Sequence, residues 1–240
     1  LERYSIFHSY ACRKEKGIHR ALKLAKVYCR RYHYFLKMDV AKFYDSVERQ
    51  ILKDKLHHLI RDKDFTWLLD KIIDTAPCTK EGLGIPIGNL TSQYFANFLL
   101  SFVDHRIKET LCLKPYLRYM DDLLCFAEEK SDLHFIKSDL EIYLPQELHL
   151  EWKKPATIIA PVTEGIPFLG CKIFPQHSKI LQKNWRRFKK NFHRYQRWYE
   201  TGKVTMQELQ MAIETMWDYL NQTDTYLLRK QFFFQNTMDL

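Results

Sequence analysis

The order of hydrophobic and polar positions divides the chain into alternating strand and helix segments. "YFLKMDV" mixes aromatic and β-favouring residues over strand length and runs into an aspartate. In "DSVERQILKDKLHHLI", Val47, Ile51, Leu52, Leu56, Leu59 and Ile60 recur at helical spacing, with Ser46 placed to cap the helix. "FTWLLDKIIDTA" predicts a second helix that stops at Pro77. The turn-rich "TKEGLGIPIGN" then leads into "LTSQYFANFLLSFVDHRIKETL", apolar enough for a largely buried helix. "YLRYMDDLLCFAEE" predicts two short strands joined by a tight acidic turn. "SDLHFIKSDLEIYLPQEL" predicts a helix ending at Pro145, and "LHLEWKKPATIIAPV" and "IPFLGCKIF" predict strands, the second a hairpin with Gly170 at a close approach.

The tail changes character. Trp185, Phe188, Phe192, Tyr195 and Tyr199 form one apolar helical stripe, while Lys183, Arg187, Lys190, Arg194 and Arg197 keep the same rhythm on the other side. A further helix starts near Thr205 and turns Leu209, Ala212, Ile213, Met216 and Leu220 inward. Residues 181–240 thus read as a small helical subdomain with a cationic flank. The fold class expected for the whole is α+β.

Composition sharpens this picture. With 240 residues and 46% hydrophobic content, the chain can build a sizeable core in one large domain or two small ones. No apolar run approaches the roughly 18–20 residues of a membrane span, and there is no basic-then-apolar leader, so a reducing cytoplasm is expected. A first residue of leucine reads as a fragment whose start is missing. The six cysteines contain no CxxC pair, which argues for free thiols rather than structural zinc. The histidines show no HExxH or paired spacing and are read as incidental. A formal charge of +9 favours a polyanionic partner, and 16 Phe, 14 Tyr and 5 Trp offer surfaces on which bases can stack.

Two acidic positions stand out. Asp39 closes "FLKMD", and Asp121 and Asp122 lie between "YLRYM" and "LLCFA". Carboxylates in apolar surroundings are costly unless they are paired, hydrogen-bonded or bound to a cation. A hairpin that sets Asp121 beside a strand ending in Asp39 would point oxygen ligands at shared divalent ions, and such ligands suit magnesium. Two ions about 4 Å apart can activate a primer 3′-hydroxyl and stabilise a leaving pyrophosphate.

"YMDD" at 119–122, preceded by Arg118, resembles the YxDD hairpin of reverse transcriptases. "KMDVAKFYDSV" at 37–47 is similar to their first catalytic block, "GIPIGNLTSQ" at 84–93 to their nucleotide-pocket block, and "IPFLG" at 166–170 to their primer-grip hairpin. Four ordered blocks cover about residues 5–180. The resemblance implies a right-hand polymerase: partial fingers over 1–36, a palm of RRM-like antiparallel sheet plus helices over 37–175 that holds a fingers-derived helical insertion at about 50–90 and the primer-grip hairpin, and a helical thumb over 176–240. Ile87 before Gly88, with Ser92-Gln93 closing the block, is similar to the enzymes of diversity-generating retroelements, which misincorporate opposite template adenines. Group II intron and retron enzymes are the alternative relatives, and an RNA-binding or defence protein on a polymerase fold is a rival of another class.

The resemblance also implies roles. Asp39 and Asp121 bridge two Mg2+ ions, for which Mn2+ can substitute, helped by the carbonyl of Val40 and completed by Asp122. Tyr44 lies under the incoming sugar and excludes a 2′-hydroxyl, while Asp45 stands at a helix start beyond the cluster. Ile87 and Gly88 border the nascent base pair, and Gln93 supports the template backbone. Arg13 receives the triphosphate, with Lys14 or Lys16 as runner-up. Lys154 donates a proton to the pyrophosphate, with Lys153 competing. Phe168, Leu169 and Gly170 position the primer, and Lys183, Arg187, Lys190 and Arg194, joined by Arg186 and Lys189, hold the duplex backbone. Implied partners are template RNA, a DNA or RNA primer, dNTPs and a small basic accessory protein, in a cytoplasmic enzyme of bacterial or phage origin.

Overall fold

The computed structural model describes residues 1–75, 80–86, 89–221 and 223–237. It comprises two compact units, Leu1–Val162 and Thr163–Leu240. The division falls before the "IPFLG" hairpin, which therefore belongs with the helical tail.

In the first unit the chain runs α1 (Ile18–Arg31), β1 (Tyr34–Asp39), α2 (Phe43–Ser46), α3 (Arg49–Leu59), α4 (Lys63–Asp74), α5 (Leu90–His105), β2 (Tyr116–Tyr119), β3 (Asp122–Ala127), α6 (Lys130–Leu148) and β4 (Ile158–Pro161). The strands form one antiparallel sheet in the order β2-β3-β1-β4. Side chains alternate between the two faces of a strand. On β1, Leu36 and Met38 therefore share one face, and with Tyr116, Leu123 and Cys125 they join the main core built with α3, α5 and α6. Phe35, Lys37 and Asp39 share the other face, opposite Phe126, Leu124 and Asp122 in register. Helix α1 covers the apolar end of that face, where Tyr28 meets Phe126 at 5.4 Å between ring centroids. Beyond Phe35 the same face turns polar. The sheet has one core on each side, and the acidic site lies where the second core gives out.

The long apolar run is α5, with Phe95, Phe98, Leu99, Leu100 and Val103 all buried. Expectations about local structure change in three places, the first being the strand read over 148–162, of which only Ile158–Pro161 is strand, after a 3-10 turn at Lys154–Ala156. Ser46 ends α2 and donates to the Ala41 carbonyl, while α3 begins after Glu48, because buried Val47 is held in extended backbone between the two helices. Helix α6 does not stop at Pro145 but continues to Leu148. Leu144 and Leu148 are both fully buried and Pro145 is exposed. Each buried leucine is worth about 2 kcal/mol. Together they carry the last turn past the residue that removes one hydrogen bond. The stop predicted at Pro77 lies outside the described residues; α4 ends at Asp74 and is capped at its start by Asp62, whose carboxylate accepts from the Phe65 amide at 3.0 Å.

The second unit holds β5 (Ile166–Phe168), β6 (Cys171–Ile173) and β7 (Ser178–Ile180) in a small antiparallel sheet, followed by α7 (Gln182–Glu200), α8 (Met206–Leu220) and α9 (Tyr226–Thr237). The apolar stripe of α7 packs over its first half, where Phe188 and Phe192 are buried against Leu220 and Phe232 with Trp185 beside them; at its far end Tyr199 is exposed. Lys183, Arg187, Lys190, Arg194 and Arg197 are exposed. Thr205 and Glu208 form a reciprocal cap at the start of α8, each side chain bonding the other's backbone amide. None of the described cysteines is in a disulfide, and no described helix is long and apolar enough to cross a membrane.

Replacing Pro145 with alanine restores a backbone donor in a helix whose core face is already packed. Urea unfolding should show the first unit stabilised by about 1–3 kcal/mol.

Candidate active site

The register of β1 against β3 sets Asp39 directly opposite Asp122. Asp121 is in the turn before β3, and its carboxyl shares a hydrogen bond with that of Asp39. Burial, then the neighbouring charge of Asp39, pushes the Asp121 carboxyl upward. Burial likewise raises Asp122 from the ordinary 3.8 to about 6, against the pull of Lys37. Lys37, two residues before Asp39 and on the same strand face, donates to Asp122. The acidic trio is therefore divided into an Asp39–Asp121 pair and an Asp122–Lys37 pair. Among the described residues no group of three or more His, Cys, Asp or Glu is arranged to hold a metal ion.

A buried network holds the turn in place. Arg118 faces the α5 side of the sheet, with its side chain 1% exposed against fully buried Asp104. Its Nε and Nη2 donate to the two carboxylate oxygens of Asp104 at 2.7 Å each, in bidentate geometry. Nη1 donates at 2.8 Å to the carbonyl of Met120, which sits in the left-handed region at φ +54. Further bonds reach Asn97 and Ser9, and Asn97 donates to the Ala11 carbonyl. Tyr116 completes the set by donating to Asp104. The strained residue just before the two aspartates is thus tied to α5 and to the N-terminal segment.

Val40 forms an isolated antiparallel bridge with Trp152, bracketed by the bonds Ala41 N to Glu151 O and Lys153 N to Asp39 O. In that geometry the Val40 carbonyl points away from residues 151–153. The bridge also brings Lys153, not Lys154, to the site: Lys153 Nζ is 3.6 Å from Asp39 Oδ2, whereas Lys154 opens an exposed 3-10 turn. Trp152 is the anchor, buried and donating to the Leu140 carbonyl, and its neighbour Lys153 is exposed beside Asp39.

Tyr44 stands beside the turn, its hydroxyl 4.0 Å from Met120 Sδ, with burial foremost and then Cys12 and Asp121 pushing its pKa up. The loop at 80–86 is laid onto it: Ile85 N donates to Tyr44 O, and Arg49 donates to Gly84 O. Gly84 has φ +86, a left-handed conformation that residues with a side chain rarely adopt, and it lies against the Tyr44 and Asp45 backbone. Asp45 is exposed in α2, away from the acidic trio. Ile87 and Gly88 lie outside the described residues.

Arg13 is turned inward, donating to the carbonyls of Ile6 and Ser9. Residues Cys12 and Glu15, both at positive φ, curl the loop back on itself. Lys16 is spent on the Phe7 carbonyl and ring, leaving Lys14 as the exposed cation of the three. Gln93 accepts from the Cys12 thiol at 3.1 Å, so its amide oxygen is engaged within the protein. In the second unit, Leu169 and Gly170 form a two-residue turn with φ +46 and +83. The Gly170 carbonyl accepts from Leu181 N and Asn184 Nδ2, and the turn borders a cavity of about 360 Å³ with Arg187, Phe188 and Met216. Phe168 is buried in β5 beneath it.

Residues 5–173 match the family described as Reverse transcriptase (RNA-dependent DNA polymerase). The chain belongs to the reverse transcriptase family. Protein YkfC of Escherichia coli is 23% identical over 73% of this chain, and a putative COX1/OXI3 intron 1 protein of Saccharomyces cerevisiae is 24% identical over 69%. The chain spans 58% and 27% of those two relatives. A telomerase structure from Candida tropicalis, solved in complex with a TWJ fragment of telomeric RNA, aligns with 93% of this chain and 44% of its own at a TM-score of 0.58 and 12% identity. The α+β polymerase fold of a reverse transcriptase is what that likeness supports.

Lys37, Asp104 and Asn97 were not singled out from the sequence of this reverse transcriptase. Lys37 had a signal, since a residue two before Asp39 shares its strand face. So did Asp104, an acid inside a helix too apolar to leave it in water.

Two outcomes follow. Arg118→Met leaves Asp104 buried without its cation and should destabilise the first unit by about 3–5 kcal/mol in urea unfolding, with much of that loss recovered in Arg118→Met/Asp104→Leu. The raised acids Asp121 and Asp122 favour the folded state fully below the ordinary aspartate value of 3.8, and that contribution is lost as pH rises through about 6. Melting temperature in EDTA should therefore fall across that window, and Asp121→Asn should shrink the fall.

Proposed function

We propose that this chain carries out RNA-templated DNA synthesis, joining dNTPs to a primer 3′-hydroxyl. The observation that carries this reading is the juxtaposition of Asp39 and Asp121, two half-buried carboxyls that repel each other when ionised. Such a donor set fits a divalent cation of the hard, oxygen-seeking kind, Mg2+ first. Asp39, Asp121 and the Val40 carbonyl would hold it. When bound, two such ions activate the 3′-hydroxyl and offset charge on the leaving pyrophosphate.

The protein's own groups supply alignment and selection. The Tyr44 ring, steadied by the 80–86 loop, would collide with a ribose 2′-hydroxyl and so favour deoxynucleotides. Lys153 takes the proton-donating role first expected of Lys154, and Lys14 replaces Arg13 as the cation for the triphosphate. Residues 1–36, 37–175 and 176–240 serve as partial fingers, palm and thumb. The Leu169–Gly170 turn and exposed Lys183, Arg187, Lys190 and Arg194 contact the primer–template backbone without reading sequence.

Ile87 offers a base pair shape but no hydrogen bond, and loss of a polar contact weakens discrimination. This supports error-prone copying at template adenines, in the manner of a diversity-generating retroelement, with a small basic protein as partner. The match to a yeast protein named for an intron favours the alternative, an intron-type enzyme.

Sequencing of cDNA made from a defined RNA template tests both levels. Asp121→Asn should abolish extension; undiminished synthesis by that variant overturns the mechanism. Ile87→Gln should reduce errors opposite adenine, and an unchanged spectrum removes Ile87 from the explanation.

A further inference from the structure

The three acids at the end of the β1–β3 face are not equivalent. Asp122 lies directly across from Asp39, close enough in register to act with it. Its side chain is 21% exposed and bound to Lys37, itself 12% exposed. Lys37 is diagonal to it across the β1–β3 ladder, with its Cα paired to Leu124, so the contact is set by two rigid, central strands rather than by a mobile loop. By contrast, Asp39 faces Asp121 through a hydrogen bond, and the cation near it, Lys153, is 55% exposed at 3.6 Å. One lysine is part of the sheet face and the other is a solvent-screened neighbour.

Resting on the polymerase reading above, we propose that Lys37 is a positioning residue that reserves Asp122 from metal binding, leaving Asp39, Asp121 and the Val40 carbonyl as the protein's ligand set. A buried ammonium bound to a carboxylate cancels the charge that would otherwise attract a divalent ion, and it occupies the oxygen a metal would use. Asp122 then acts on the site through Lys37 and the strand. Removing Lys37 should release a third carboxylate toward the cation rather than simply weaken the site.

The test is Mn2+ binding to the whole chain, followed by electron paramagnetic resonance of the free ion, with circular dichroism confirming that each variant is folded. Asp39→Asn and Asp121→Asn should weaken binding at least about tenfold, the loss of a charge-assisted ligand. Asp122→Asn leaves the Lys37 ammonium unpaired beside the site and should weaken binding only a few-fold. Lys37→Met should bind several-fold more tightly than wild type, Lys37→Arg should match wild type, and Lys37→Met/Asp122→Asn should return to it. Loss on Lys37→Met/Asp122→Asn as severe as on Asp121→Asn, or no gain from Lys37→Met, overturns the assignment of Lys37 while leaving the polymerase reading intact. Failure of the wild-type chain to bind Mn2+ at all would instead count against the polymerase reading itself.

Discussion

The contact on which the acidic turn depends is the bidentate bond between Arg118 and Asp104 in the interior. Moving either charge out of water is costly, and their mutual attraction offsets the cost only when geometry is good and the remaining donors are used. Here they are: Tyr116 adds a bond to Asp104, and Arg118 spends its other donors on Met120, Asn97 and Ser9. A pair with these demands tolerates little displacement. It therefore sets three elements relative to one another: α5, the β2 edge with the N-terminal segment beside it, and the turn that carries Asp121 and Asp122. The left-handed backbone at Met120 persists because its carbonyl is gripped from below.

The opposite face of the same sheet shows the complementary economy. Above α1 it is lined by Phe35, Leu124 and Phe126, and it becomes charged only at Lys37, Asp39 and Asp122. Carboxyls gathered there are held at the edge of an apolar surface, where ionisation is resisted. A site of this kind is poor at being empty and well suited to a cation. The rigidity beneath the turn and the electrostatic tension above it have the same origin, a central antiparallel pair whose two faces differ completely in polarity.

The loop at Tyr44 follows similar logic. Tyr44 is not simply an aromatic residue near acids; its backbone carbonyl receives Ile85, and Gly84 adopts a conformation that lets the loop come close. In the second unit, the Gly170 carbonyl is held by α7 through Leu181 and Asn184, so a two-residue turn and the start of a basic helix are one piece of structure.

Much of this protein was legible from its residues in order. Period-two and period-3.6 patterns located β1, the acidic hairpin, the buried helix α5 and the two-faced helix α7, because burial of one face is a local property of spacing. Motif order identified the family and put Asp39 with Asp121. Partner choice was not legible, because partners are distant in sequence. Arg13 sits among basic residues in a stretch that reads as open, yet backbone carbonyls at Ile6 and Ser9 claim it. Whether Lys153 or Lys154 meets Asp39 turns on which residue follows the buried Trp152 in a cross-chain bridge. Pro145 ends helices by local rules, but Leu144 and Leu148 find a core that outweighs one missing bond. Spacing specified which residues are buried and which strands carry charge; only the packed fold decided which charge met which, since that depends on register and on contacts spanning the chain.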